Sequence, residues 1–231
     1  MRVVGADRRR ASLHGHDEPG DHRPLGLDAQ KKSLIASERN EAARQAWRDR
    51  AAGIEPRRWV WLDETGSHRS LTRRYARGPR GERAVGRVPS RRGQNRTLIT
   101  TLTLDGFGPG LLLDGALNRA AFEAYVDQIL APTLRPGQIV VADNLRAHDS
   151  DAARAAIEAR GAELWFLPGY SPDLNPIEEG FAKLKAQLRR DEPRTDAAVS
   201  AAIWQARRTV TPGDARGFFT HCGYPSSDHL S

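Results

Sequence analysis

The sequence predicts an α/β domain in which a mixed sheet is flanked by helices. Two runs, RRWVWLDE from Arg57 and QIVVAD from Gln138, are apolar at successive positions and end in an acid. Strands apolar on both faces belong in the middle of a covered sheet. Between them, Asp105-Gly106 separates two apolar runs in the manner of a hairpin turn. From residue 118 onward, segments with helical spacing alternate with short strands, as a covered sheet requires.

The elements follow in order. Residues 1–30 mix Arg, His, Gly, Asp and Pro with no period of two or 3.6, and are expected to be disordered or a degenerate N-terminal segment. His14, His16 and His22 with Asp17 and Asp21 lie there, where no regular element would hold them as a metal site. Residues 31–55 form a lead-in helix and linker, with a start expected near Ser37. After Pro56 the first strand places Trp59, Trp61 and Asp63 on one face and Val60 and Leu62 on the other. Strands at 96–104 and 110–114 follow. A helix at 118–130 is expected with Asn118 as its cap and Phe122, Tyr125 and Ile129 as its buried stripe.

A strand at 138–143, a helix at 151–160 and a strand at 163–167 come next. Pro168-Gly169 closes that strand, and Asn175 is a favoured cap for a helix with Pro176 at N1 and Glu178 at N3. Ile177, Phe181, Leu184 and Leu188 form one face of that helix. Glu178 could complete a capping box with Asn175. Thr195 or Asp196 caps a further helix carrying Val199, Ile203, Ala206 and Val210, and Thr211-Pro212 begins a last short turn. The domain is bounded at 56–224, with residues 225–231 as a tail.

Composition narrows the function. The chain has 231 residues, 39% of them apolar, and a net charge of +7, so polyanions are the expected partners. Ten arginines against the single acid Glu82 fall within residues 67–96. Arg69, Arg73, Arg74, Arg77, Arg91, Arg92 and Arg96 are read as phosphate contacts, against the alternative of a solvated basic loop. The single cysteine, Cys222, excludes an internal disulfide, and no apolar run approaches a membrane span. A cytoplasmic protein with no membrane partner and no small-molecule substrate is expected.

If the two long strands are parallel neighbours, the ends bearing Asp63 and Asp143 lie about 4.8 Å apart. Glu178, heading the helix after the last strand, arrives at the same edge. Each like-charge pair about 5 Å apart costs roughly 3 kcal/mol at an effective dielectric near 20. A bound cation resolves this, and oxygen ligands suit Mg²⁺ or Mn²⁺. A pair of such ions would hold the attacking and leaving oxygens of a phosphoryl displacement.

LDET from Leu62, ADN from Ala142 and YSPDLNPIEE from Tyr170 resemble the mariner-like DDE transposases of the bacterial insertion-sequence branch. Asp143 and Glu178 are separated by 34 residues, a spacing typical of that group's acidic triad. The resemblance implies a ribonuclease-H-like core with Asp63, Asp143 and Glu178 as ligands of two Mg²⁺ ions. It further implies hydrolysis at the ends of a DNA element, followed by attack of the freed 3′-hydroxyl on target DNA. Asn144 and His148 match positions beside the second aspartate, and Glu179, about 100° round the helix from Glu178, ranks below it as a ligand. A homodimer on double-stranded DNA is implied, with the Arg-rich stretch reaching a partner. Pro168-Gly169 stands where many relatives have two prolines, and the helix-turn-helix pair of relatives is not patterned ahead of residue 56. Weak selection of element ends is therefore expected. A catalytically idle remnant that regulates an intact transposase is the alternative.

The basic stretch makes a direct prediction. Binding to arbitrary duplex DNA should weaken steeply with salt, by a slope of about −0.9 in log K per log salt for each phosphate neutralised. Replacing Arg73 and Arg77 with glutamine should flatten that slope in a fluorescence-anisotropy titration, and an unchanged slope would mark a solvated loop.

Overall fold

The computed structural model describes residues 36–73 and 75–225. Expectations for residues 1–30, for Arg74 and for most of the C-terminal tail therefore lie outside the described residues. Helix α1 spans Glu41–Ala51, with Asn40 accepting a hydrogen bond from the Ala43 amide at 3.0 Å. The expected start near Ser37 is thus corrected to a later one, because the Ser37 hydroxyl turns to Glu38. Strands β1 (Trp59–Ser67), β2 (Arg96–Thr103) and β3 (Gly106–Asp114) form an antiparallel meander. The β3 strand begins four residues before the expected Gly110, directly after the Leu104-Asp105 turn, with a register shift opposite Thr100 and Leu102.

Helix α2 (Arg119–Tyr125) is capped by Asn118, then widens into a π turn over Val126–Leu130 and a 3-10 turn at Ala131–Thr133. The widening rotates the following side chains, so Val126 and Leu130 are buried while Ile129 is only half-buried, which corrects the expected stripe. Strand β4 (Ile139–Ala142), helix α3 (Asp151–Glu158), strand β5 (Glu163–Phe166) and helix α4 (Pro176–Asp191) complete the expected alternation. Helix α5 (Asp196–Arg207) is capped by Thr195. Val210 lies beyond it, buried in a different cluster from Val199 and Ile203. Where a short turn was expected, residues Pro212–His221 form α6, a ten-residue helix with a full Thr211–Asp214 capping box.

The sheet order is β3-β2-β1-β4-β5, with β1, β4 and β5 parallel. Each face has its own core. Val60, Leu62, Val140 and Ala142 pack under α2 and α3. Trp59 and Trp61 meet Trp47, Trp165, Phe219 and Tyr224 on the opposite face, with ring centroids 4.7–6.5 Å apart. The Trp47 indole donates to the Tyr224 hydroxyl at 2.8 Å, which donates onward to the Leu174 carbonyl at 2.9 Å. No buried indole or phenol in that relay is left without a partner. Gly180 is required by packing, because a Cβ there would lie 2.9 Å from the Phe107 ring.

Arg44 ties α1 to the turn ahead of α4. Its guanidinium is fully buried and grips both oxygens of Asp173, at 2.9 and 2.6 Å. The two partners are not equivalent, since Asp173 is half-exposed and can be solvated alone. Asp173→Asn should therefore cost about 2 kcal/mol in urea unfolding, by stranding a buried cation. Arg44→Met, which removes the charge and keeps the apolar stem, should cost less. The reverse ranking would show that the pair acts as a surface contact.

Candidate active site

The pairing of β1 with β4 brings the two aspartates together. Trp59 lies opposite Ile139 and Trp61 opposite Val141, a constant difference of 80 in residue number (139 − 59 and 141 − 61). Continued along both strands, that register sets Asp63 level with Asp143, the residue after β4 ends. Alternation turns Asp63 to the tryptophan side, where α4 begins, and turns Glu64 to the opposite side. Glu178 lies in the first turn of α4. Asp63, Asp143 and Glu178 line one cleft of about 450 Å³, together with Asn144, Tyr170 and Asn175.

Each acid has a distinct surrounding. Asp63 is 7% exposed; one oxygen accepts from the Glu64 amide at 2.8 Å and the other from the Asn175 side chain at 3.0 Å. Burial, then the charges of Asp143, Glu64 and Glu178, push its carboxyl up to about 8 despite those donors. Asp143 is also penalised by burial, but the neighbouring His148 and the Leu145 amide, 3.0 Å away, outweigh that and hold it below its ordinary value. Glu178 is exposed at the mouth of the cleft, yet partial desolvation there raises it, with Lys185 opposing and Asp143 and Glu64 reinforcing.

Asn175 does not cap α4 with its side chain, and no capping box forms with Glu178. That capping reading is corrected: the Asn175 amide is spent on Asp63, and Glu178 is left free to face the cleft. Asn144 joins the ends of β4 and β5 by donating to the Leu167 carbonyl. Tyr170, at the cleft wall, holds a left-handed backbone with φ 54°. Glu179 faces away, in contact with His221 on α6.

His148 is fully buried against Phe122, with one ring nitrogen 2.7 Å from Asp143 and the other 3.1 Å from Glu64. Burial disfavours its charged form, but the two carboxylates more than compensate and lift it to about 10. It is an imidazolium at neutral pH. Glu64 and the Arg44–Asp173 pair had no role in the sequence reading. The acid of LDET that follows Asp63 was a usable signal, since alternation places it on the face where a buried histidine needs a counter-charge.

The arginines divide. Arg73, Arg77, Arg91 and Arg92 are exposed on a long irregular segment. Arg69 is half-buried and donates to the Arg91 carbonyl at 3.2 Å, bracing the base of that segment. Arg96 is corrected as a phosphate contact, because it pairs with Asp114 across β2 and β3 and its side chain is 17% exposed.

A meander of three strands continued by two parallel ones, with acids level on the central pair and a third heading a helix, defines the ribonuclease-H-like class of acidic-site folds. The description DDE superfamily endonuclease matches residues 58–199, and the chain belongs to that family. It is 27% identical over 192 residues to the Transposable element Tcb1 transposase of Caenorhabditis briggsae, covering 78% of this chain and 66% of that protein. Among solved structures, the Mos1 strand transfer complex aligns with a TM-score of 0.66 at 20% identity, over 86% of this chain and 64% of that one. The Mos1 mariner paired end complex with Mn gives 0.61 at 18%, again over 86% and 64%. These likenesses show the fold. The chain spans just under two thirds of the length of the relatives it matches.

The charges predict a pH dependence. In metal-free protein Asp63 binds its proton more tightly folded than unfolded, so its contribution falls as pH rises from about 4 to about 8. His148, raised when folded, adds stability in full below about 6.5 and loses it as pH approaches about 10. Both act in the same direction. Thermal stability in chelator should therefore decline from pH 5 to pH 9, at most by about 1.4 kcal/mol per pH unit for each group. Asp63→Asn should flatten the lower half of that decline.

Proposed function

We propose that this chain is the catalytic region of a DDE transposase, cleaving DNA strands at element ends and joining the freed 3′-hydroxyl to target DNA. The observation that carries this reading is the level placement of Asp63 and Asp143 on adjacent parallel strands, with Glu178 lining the same cleft. Family membership and the Tcb1 relative support it. In this reading the catalytic domain covers residues 56–224, double-stranded DNA is the substrate, and two copies act together. The paired-end complexes of Mos1 support the last point. The cytoplasm is the proposed setting.

The residues fit a divalent cation. A carboxyl pushed up to about 8 by burial and then by three neighbouring carboxylates sits in a donor set short of positive charge, and the ligand atoms of the three cleft acids are all oxygen. Asp63, Asp143 and Glu178 would hold Mg²⁺ or Mn²⁺, with two ions proposed; the Mos1 paired end complexes with Mn and with Mg support that choice of metal. Bound there, the metal supplies neutralisation of phosphate charge and a more acidic attacking hydroxyl. In hydrolysis, oxygen from water bonds to phosphorus and the P–O3′ bond opens. In joining, the freed 3′-oxygen bonds to a target phosphorus, whose own 3′-oxygen leaves with a proton from solvent.

The protein's own groups orient these events. Asn175 and the Glu64 amide fix both oxygens of Asp63. His148 keeps Asp143 ionised and anchors it to Glu64 beneath the sheet. The exposed arginines, on a segment whose base meets the Glu192 end of α4, offer phosphate contacts away from the acids themselves.

With purified protein and supercoiled plasmid in Mg²⁺ or Mn²⁺, Asp63→Ala, Asp143→Asn and Glu178→Ala should each reduce nicking by about 100-fold or more, equivalent to about 2.7 kcal/mol in the barrier. DNA affinity should stay nearly unchanged, and Glu179→Ala should cleave within about twofold of the parent protein, well inside 1 kcal/mol. Activity surviving in Asp143→Asn would overturn the assignment.

A further inference from the structure

Away from the acidic cleft, the start of α4 meets the end of α6. Glu179 of α4, His221 at the last turn of α6 and Cys222 just after it each present a ligand atom, and these atoms all lie within 4.8 Å of one another. The two helices pack closely, with Cys222 and Phe219 in the tryptophan-rich core. The Glu179 carboxylate already touches the His221 Nδ1. His221 is exposed and the Cys222 sulfur is buried, so the trio has one open side and one fixed wall.

We propose that Glu179, His221 and Cys222 form a second metal site, selective for Zn²⁺ or a similar borderline-soft ion and chemically separate from the cleft of Asp63, Asp143 and Glu178. The donor set is the argument. One thiolate, one imidazole and one carboxylate are the ligand types of zinc, with bonds of about 2.0–2.3 Å and a fourth position open to water. Tetrahedral bonds of that length set donors roughly 3.5 Å apart, so a pair at the 4.8 Å limit closes by about 1 Å while the Glu179–His221 contact opens, a rearrangement within the freedom of an exposed histidine. Mg²⁺ has little affinity for sulfur, so the ion that suits the oxygen cleft does not compete here.

The free trio is poorly balanced without an ion. The Cys222 thiol is pushed up to about 12 by burial and by the charges of Glu179 and Asp173, so it stays protonated beside a carboxylate. Coordination would release that proton to solvent and set cationic charge between the two groups. Access is from the exposed His221 side, and Cys222 also borders a cleft of about 870 Å³ lined by Arg48, Ala51, Trp59, Leu174 and Tyr224. An ion there would fasten α6 to the first turn of α4, one residue from Glu178.

Cobalt(II) reports the site directly, because Cys222 is the chain's only cysteine and any thiolate-to-cobalt absorption must come from it. The full chain, reduced with a phosphine, should develop a near-ultraviolet charge-transfer band that saturates at one Co²⁺ per chain. Equimolar Zn²⁺ should bleach the band, whereas excess Mg²⁺ should leave it. Cys222→Ser should lack the band, and the exposed His221→Ala should weaken cobalt binding by about 10-fold or more, about 1.4 kcal/mol. The same bleaching by Zn²⁺ should occur in Asp143→Asn, whose acidic cleft is impaired. No band in folded protein at micromolar cobalt would overturn the proposal. So would a band equally strong in His221→Ala and Glu179→Ala, since the sulfur would then bind cobalt without the other two.

Discussion

The parallel pairing of β1 with β4 constrains almost everything else in this protein. Both strands are apolar on both faces, so they can only lie at the centre of a sheet covered above and below. Once they pair with a difference of 80, the first polar residue at the end of each run falls at the same level. A slip of one residue would send Asp63 to the α2 and α3 side and Trp61 away from its aromatic partners. The tryptophan cluster therefore does more than bury area. It locks the register on which the carboxylates depend.

That placement sets like charges at close quarters, and the surrounding residues divide the burden. Asp143 stays ionised because His148 is buried as a cation between it and Glu64. Asp63 has donors on both oxygens and still takes up a proton, because burial and three other carboxylates outweigh two hydrogen bonds. The two aspartates thus differ in charge although they sit at equal height. Helix α1 joins this arrangement from outside the family-matched span: Arg44 grips Asp173, and Trp47 reaches Leu174 through Tyr224. The turn that delivers Asn175 and Glu178 is held from that side.

Much of this was legible in the sequence, for identifiable reasons. Alternation in WVWLD assigned faces correctly, since period two admits only one choice once a core face exists. The Asn175-Pro176 start of α4 was visible from local preferences alone. The π turn after Tyr125 was not, because a single inserted residue leaves no compositional trace. Helix α6 was hidden by Gly213 and Gly217, which dilute the helical pattern, although Thr211 and Asp214 carry a capping box. Glu64 meets His148 across 84 residues and Arg44 meets Asp173 across 129, pairings that only the folded chain brings about. Arg96 was misread because composition counts a charge without showing the Asp114 opposite it.

The Arg-rich segment has a geometry that follows from its two anchors. At one end the Thr72 hydroxyl is bonded to Glu192 at 2.6 Å and Arg194 holds the Leu71 carbonyl at 2.9 Å; at the other, β2 begins at Arg96. The Ser70 hydroxyl also donates to the Pro89 carbonyl at 3.1 Å, so the stretch free of these anchors is residues 73–88, 16 in number (88 − 73 + 1). A strap fixed at both ends can extend its midpoint by half its contour, here about 25–30 Å. That is most of one turn of duplex DNA, about 34 Å. In the proposed reading, phosphates up to most of a helical turn from the base of the strap, at the Glu192 end of α4, come within reach of its positive charge.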